Sequence, residues 1–184
     1  MKKCRLPALL LTCLLGACSA RPTAGVPAEA GASSLQSFRA QHRVTLTFSG
    51  RQLDFTGYLL VRGRGDWRAM AFGEFGGSLL DIMTLPGSGT RIIKNPGGIR
   101  ERWLTGHAAA IIEILCVPPS GERASVSRAG SVYEVTYSDY AGVPGMEREM
   151  PRHIVVEEKK IGFRLEADLI KFEPMEIPEK FFAI

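Results

Sequence analysis

The chain has 184 residues and a formal net charge of +4, from 23 lysines and arginines against 19 acidic residues. Lys2, Lys3 and Arg5 supply three of the positive charges, so the rest of the chain is almost neutral and gives no support to nucleic-acid binding. This length fits one globular domain. Cys116 is the only cysteine after residue 18, which excludes a disulfide within that domain.

The first twenty residues have the pattern of an export signal. Three positive charges precede an apolar run over residues 6–15, which is too short to span a bilayer as a helix. Two small residues then lead to Cys18. This ending resembles the lipobox of bacterial lipoproteins, in which the cysteine sulfur carries a diacylglycerol. The resemblance implies a signal peptide at 1–17 and a lipid anchor at Cys18. An ordinary signal peptide cut after Ala17 or Ala20 is the alternative.

Residues 18–34 are predicted to form the lipidated cysteine and a flexible tether. After Cys18 the segment consists mainly of Ala, Pro, Gly and Ser, which cannot bury enough apolar surface to fold. Ser19 follows the cysteine, at the position where an Asp would signal retention in the inner membrane. In this it resembles the outer-membrane sorting pattern of enteric bacteria, which implies attachment at the periplasmic face of the outer membrane. The folded domain is predicted at residues 35–184.

Alternating polar and apolar residues predict eight strands joined by short Gly-rich turns. The predicted strands cover residues 42–48, 53–61, 67–75, 79–85, 90–94, 131–140, 153–158 and 162–172. After the fifth strand, apolar residues from Leu104 to Leu115 recur at helical spacing, with Thr105 as the predicted N-cap. A sheet of this many strands twists and curls. We therefore predict an α+β fold, a curved antiparallel half-barrel covered by a short helical segment.

The polar residues show no arrangement typical of catalysis or of a metal or cofactor site. His42, His107 and His153 are scattered without metal-binding spacing, and each is interpreted as a satisfied or exposed structural residue. Ser88 lies in a Pro-Gly-Ser-Gly turn rather than a nucleophile elbow. Carboxylates such as Glu158 alternate with apolar residues and are predicted to face solvent. The sequence thus predicts a protein that is not an enzyme and uses no metal or cofactor.

A large aromatic residue, Phe75, stands immediately before a Gly-Gly turn. One interpretation makes Phe75 the last inward-facing residue of its strand. The other places Phe75, Gly76 and Gly77 at an exposed loop tip that contacts lipid or a partner.

The order of motifs around this turn resembles the LolA/LolB family of lipoprotein localisation proteins, from about Leu35 to Phe172. The motifs, in chain order, are Phe75-Gly76-Gly77-Ser78, Pro86-Gly87, Ile92-Ile93-Lys94-Asn95, Tyr133 to Tyr137, Met150-Pro151, Ile154 and Arg164 to Leu169. The resemblance implies an outer-membrane lipoprotein that holds acyl chains of lipoproteins or lipids in the half-barrel and inserts them into the membrane. Phe75 then takes the place of a protruding leucine, and a LolA-like periplasmic carrier is a further partner.

The inward-facing apolar residues are the candidate lining of this cavity. They are Leu46, Phe48, Phe55, Leu59, Met70, Phe72, Ile111, Leu115, Phe163 and Leu165. Acyl-chain binding there would be driven by removal of apolar surface from water, at ~25 cal/mol per Å². One alternative is a structural or assembly lipoprotein of the cell envelope, which uses the same fold with a filled cavity to bind a protein. An envelope enzyme is a third hypothesis, without a catalytic set to support it.

Overall fold

The computed structural model describes residues 37–63, 65–116, 121–143 and 149–183, which belong to one compact unit, Ser34–Ile184. The predicted signal peptide, Cys18 and the tether lie outside the described residues. Among the residues described, no helix has both the length and the apolar character needed to cross a membrane.

Nine strands form one antiparallel sheet. They are β1 (Phe38–Phe48), β2 (Arg51–Arg62), β3 (Asp66–Phe72), β4 (Ser78–Leu85), β5 (Gly89–Lys94), β6 (Arg123–Arg128), β7 (Ser131–Ala141), β8 (Met150–Glu158) and β9 (Phe163–Pro174). Their order is β5-β4-β3-β2-β1-β9-β8-β7-β6, so the sheet ends in two edge strands and does not close into a barrel. The predicted antiparallel sheet is confirmed, although the described chain is mostly sheet rather than a balanced α+β mixture.

One strand was missed, and three others differ from their predicted bounds by three residues or more. β3 ends at Phe72 rather than at Phe75, and β8 begins at Met150 rather than at His153. β6 was missed because Ala124 and Val126 are its only apolar residues, and a short edge strand with small side chains gives a weak alternating pattern. β1 begins at Phe38 rather than at His42. Its first residues pair with both neighbours, since Phe38 lies opposite Val61 of β2 and Pro174 of β9. Pairing with β2 and β9 therefore extends this strand beyond the alternating pattern from which it was predicted.

One helical segment crosses the inner face of the sheet. It consists of α1 (Glu101–Trp103), a π-helical turn (Leu104–Ala108) and α2 (Ala109–Cys116), together called the covering helix. The prediction that Thr105 caps it is wrong, because the helix begins earlier and the Thr105 hydroxyl donates to the carbonyl oxygen of Glu101 at 3.1 Å. Such a bond competes with the regular helical pattern, and the π-helical turn contains this residue.

The covering helix packs on both halves of the sheet, which requires the sheet to curve round it. Ile111 and Ile114 pack with residues of β7, β8 and β9, whereas Leu104 and Ile112 pack with residues of β1 to β4. At its end Cys116 is buried, and this burial raises the pKa of its thiol. The predicted helical cover over a curved sheet is confirmed.

Side-chain contacts fix the direction of the covering helix. At its start Trp103 packs against Phe48 and Phe163, with ring centroids 6.4 and 6.1 Å apart. In the middle, His107 Nδ1 lies 2.5 Å from the Tyr133 hydroxyl oxygen on β7. The helix therefore starts at the edge of the sheet where β1 ends and β9 begins.

The chain after β9 covers the outer face of β2 to β4. Ile177 and Phe182 are buried there with Leu60. Arg68 donates to the carbonyl oxygen of Phe181 at 2.7 Å and pairs with Asp81 through both carboxylate oxygens, at 2.9 and 2.6 Å. Apolar residues are consequently buried on both faces of this part of the sheet.

Candidate functional site

An apolar cavity of about 150 Å³ lies between the covering helix and the inner face of β1, β2, β3 and β9. Three small residues on adjoining strands explain the space. Gly57 of β2 lies opposite Ala71 of β3, and Ala69 is the next inward residue of β3. Farther along the same face Val61 and Trp67 fill the core. Because protein interiors otherwise pack at close to crystal density, the missing side-chain volume leaves a hollow.

Eight of the ten residues predicted to line a cavity do line this one. They are Leu46, Phe55, Leu59, Met70, Ile111, Leu115, Phe163 and Leu165. Phe48 does not. It is 41% exposed at the end of β1 beside Trp103.

The assignment of Met70 and Phe72 to the inner face of β3 is wrong. Met70 borders the cavity but packs into the outer cluster around Leu60, and Phe72 packs edge to face on Tyr58, with ring centroids 5.7 Å apart. The inner face belongs to Trp67, Ala69 and Ala71. Since the C-terminal segment buries the outer face as well, β3 is apolar on both faces, and its alternation does not indicate which face is inner.

The cavity opens at one edge of the sheet, called here the mouth edge. Leu53 and Ile99 line the cavity and are 46% and 42% exposed, whereas Leu59, deeper along β2, is 4% exposed. Strand pairing brings five connections to this edge, at residues 49–50, 73–77, 95–100, 129–130 and 159–162. The start of the covering helix lies at the same edge.

Phe75 protrudes from the mouth edge. β3 ends at Phe72, and Phe75 lies at the tip of the turn to β4 with 98% of its surface exposed. The Gly73 amide donates to the Gly77 carbonyl oxygen at 2.9 Å, and Gly76 has a φ of +78°, a left-handed conformation that glycine adopts without strain. The inward-facing alternative for Phe75 is therefore wrong. Membrane contact by this tip stays a prediction.

Exposed cations surround the opening. They are Arg51, Lys94, Arg100, Lys159 and Lys160. Within the described ranges none of the five forms an ion pair. The carboxylates on or directly next to these connections are Glu74, Glu101 and Glu158. The mouth edge thus combines apolar side chains with a net positive charge, which attracts anionic surfaces.

His42 is an ionisable side chain in the wall of the cavity. It is 6% exposed, and no hydrogen bond joins its ring to any residue in the described part of the chain. Burial lowers the pKa of His42 to about 4, and the charge of Asp168 opposes this shift. The prediction of a satisfied or exposed histidine is therefore wrong here. His42 is in phase with Val44 and Leu46, an alternation that would have placed it inward.

The other polar groups have structural partners. Glu158 is buried, contrary to prediction, and its carboxylate accepts a hydrogen bond from the Ile161 amide at 2.7 Å in the β8–β9 turn. His153 Nδ1 lies 2.7 Å from a carboxylate oxygen of Asp168. Among the described residues, no three His, Cys, Asp or Glu side chains are placed to hold a metal ion. The cavity offers apolar contact and one imidazole.

No protein-family model matches the chain, and no curated protein matches it. Among solved structures, it is similar to a LolA superfamily protein from Nitrosomonas europaea, with 13% identity, 82% of this chain and 91% of that chain covered, and a TM-score of 0.48. It is also similar to a DUF1329 family protein from Desulfovibrio piger, with 10% identity, coverage of 83% and 91%, and a TM-score of 0.43. A third similar structure is an outer membrane lipoprotein-sorting protein domain from Vibrio parahaemolyticus, with 8% identity, coverage of 82% and 90%, and a TM-score of 0.42.

Proposed function

We propose that this protein is a LolB-like envelope lipoprotein that binds acyl chains of lipoproteins or lipids in its cavity and helps insert them into the outer membrane. One observation carries the proposal. An apolar cavity opens at the edge of the sheet from which Phe75 protrudes. Such a cavity favours hydrocarbon, and an exposed aromatic tip beside it favours an apolar medium.

The size and lining of the cavity suit the end of an acyl chain. Enclosed apolar cavities of this volume accept small hydrocarbon groups, and the lining here offers the same kind of contact. A longer chain would continue through the opening, where Leu53 and Ile99 offer half-exposed apolar surface. Binding needs no covalent chemistry, no metal and no cofactor in this proposal.

Three features support contact with a membrane. Lipid on Cys18 would tether the domain, and more than one acyl chain is needed for stable attachment. Phe75 would enter the headgroup region. The cations around the opening would meet anionic headgroups, each contributing about 1 kcal/mol near a charged surface. A LolA-like periplasmic carrier would deliver the cargo at the same edge.

The alternative, a structural or assembly lipoprotein that binds a protein partner, has less support. That hypothesis expects side chains to fill the cavity. Gly57, Ala69 and Ala71 instead leave it open.

Filling the cavity should abolish acyl binding without loss of stability. Ala71→Leu adds a side chain where Ala71 lines the empty space between Gly57 and Leu80. We expect affinity for a fluorescent acyl probe to fall at least tenfold and the melting temperature to stay equal or rise. Ala141→Leu, at the end of β7 and away from the cavity, is the matched control. Undiminished probe binding by Ala71→Leu would contradict the cavity as the binding site.

Phe75→Glu should weaken membrane binding and leave the stability of the fold nearly unchanged. Because Phe75 is 98% exposed, the free energy of unfolding should change by less than about 0.5 kcal/mol. Burial of a phenylalanine in an apolar medium contributes roughly 1.5–3 kcal/mol, so binding to vesicles should weaken about tenfold or more. Sedimentation with anionic phospholipid vesicles measures this, in a Cys18→Ala background so that the proposed anchor does not contribute.

Ile170→Glu is the control for Phe75→Glu, because Ile170 is a 51% exposed residue of β9 away from the mouth edge. It should leave vesicle binding unchanged. Equal losses of vesicle binding in the two variants would contradict a specific role of Phe75 in membrane contact. A collapsed melting temperature for Phe75→Glu would contradict its position in the fold.

A further inference from the structure

We infer that His42 is the polar anchor of the cavity and selects uncharged carbonyl ligands, namely acyl chains held in ester or amide linkage, over free fatty-acid anions. This inference rests on the proposed function and specifies which acyl ligands the cavity takes.

The position of His42 gives a ligand access to its ring. On β2 its opposite residue is Gly57, which has no side chain, and on β9 it is Leu169. The ring lines the cavity next to the hollow that Gly57 and Ala71 leave. A ligand in the cavity therefore lies against the imidazole.

The two ring nitrogens of His42 are free to form hydrogen bonds, as far as the described residues show. A neutral imidazole carries one N–H donor and one nitrogen acceptor. Within the described residues neither is hydrogen-bonded, although His42 is only 6% exposed. Neither ring nitrogen is among the fully buried polar atoms without a partner, so both stay accessible from the cavity. A ligand carbonyl can therefore accept a hydrogen bond from the ring N–H, which a hydrocarbon ligand cannot.

The charge state of the site excludes anions. Burial keeps His42 neutral at physiological pH, and the other residues that line the cavity are uncharged. At the ring, a carboxylate would be either unpaired or paired with a protonated imidazole, and both arrangements put charge into an apolar space at a large desolvation cost. An ester or amide carbonyl accepts the same hydrogen bond without that cost. Lipoprotein and phospholipid acyl chains have such linkages.

The test uses the chain with Cys18→Ala and three competitors of a fluorescent acyl probe, at about pH 7 and about 0.5 M salt, which screens the cations of the mouth edge. They are methyl decanoate, decanoate and dodecane. We expect the wild-type cavity to prefer the ester over the hydrocarbon, and to bind decanoate least. In His42→Leu the preference for ester over hydrocarbon should fall about threefold to tenfold, the worth of one hydrogen bond, while hydrocarbon binding is retained. His42→Gln, which keeps an N–H donor, should retain part of the preference.

His153→Leu is the matched control, because it is the same substitution at a histidine of β8 that does not line the cavity. It should leave the preference unchanged. If His42→Leu binds all three competitors in the wild-type ratios, or if decanoate binds the wild type as tightly as the ester, the role of His42 is overturned while acyl binding stands. If no acyl competitor displaces the probe from the wild type, the proposed function itself fails, and the inference with it.

Discussion

Lowering the pH from 7 to 4 is expected to reduce the free energy of unfolding by about 3 kcal/mol through His42 alone. The folded protein holds the His42 pKa at about 4 against an ordinary 6.5, chiefly through burial. Above about pH 6.5 the imidazole is neutral in both the folded and the unfolded chain. Below it the unfolded chain binds a proton that the folded chain does not, so stability falls until the pH reaches about 4. The difference between these pKa values corresponds to roughly 3 kcal/mol.

The measurement is urea unfolding near pH 7 and near pH 4 for the wild type and His42→Leu. Carboxylates that titrate in this range are common to both proteins, so the difference between them isolates His42. Asp168, the charged residue that acts on His42, raises its pKa and keeps the effect from being larger. An equal acid-induced loss in the two proteins would show that the ring is accessible to protons in the folded state.

Arg68→Ala is expected to cost about 3 kcal/mol, a large part of the stability of a domain of this size. Its guanidinium pairs with both oxygens of Asp81 and also bonds the Phe181 carbonyl, and the side chains of the pair are only 20% and 11% exposed. Removing the arginine leaves a buried carboxylate without its cation. It also releases the segment that covers β2 to β4.

Chemical denaturation checks this prediction, with two comparisons. Arg164→Ala removes an exposed arginine that pairs with Glu157 and Glu166, and it should cost at most about 1 kcal/mol. The double variant Arg68→Met/Asp81→Leu replaces the buried pair with apolar groups and should recover most of the loss. Equal effects of Arg68→Ala and Arg164→Ala would show that burial of the first pair does not matter.

Much of the fold could be predicted from the sequence because its local signals agree. Alternating polar and apolar residues, bounded by Gly-rich turns, predicted eight of the nine strands to within a few residues. The helical spacing of Leu104, Ile111 and Leu115 predicted the covering helix. The Gly-Gly turn after Phe75 favoured an exposed tip but left the inward-facing alternative open, because the predicted strand ran to Phe75 whereas β3 ends at Phe72. These features depend on neighbours in the chain and on the direction in which successive side chains point.

The cavity could not be predicted from local patterns, because residues that are distant in the sequence form it. Leu46, Phe55 and Ile111 could be predicted as inward-facing from periodicity. Whether they surround a hollow was decided by Gly57, Ala69 and Ala71, whose small size matters only because β2 and β3 place them side by side under the helix. Packed volume is a property of the assembled layers, which no single strand pattern contains.

By itself, the sequence determined eight of the nine strands, the turns between them and the presence of the helix, because backbone propensity and side-chain alternation act over a few residues. The tertiary structure decided which face of β3 is inner, since the C-terminal segment buries Met70 on the outer side and leaves Ala69 and Ala71 to the cavity. It also decided the state of His42. A histidine in a polar-apolar alternation is ordinary until sheet curvature and the covering helix enclose it without a hydrogen-bonding partner in the described chain. Desolvation, which then controls its protonation, exists only in the folded protein.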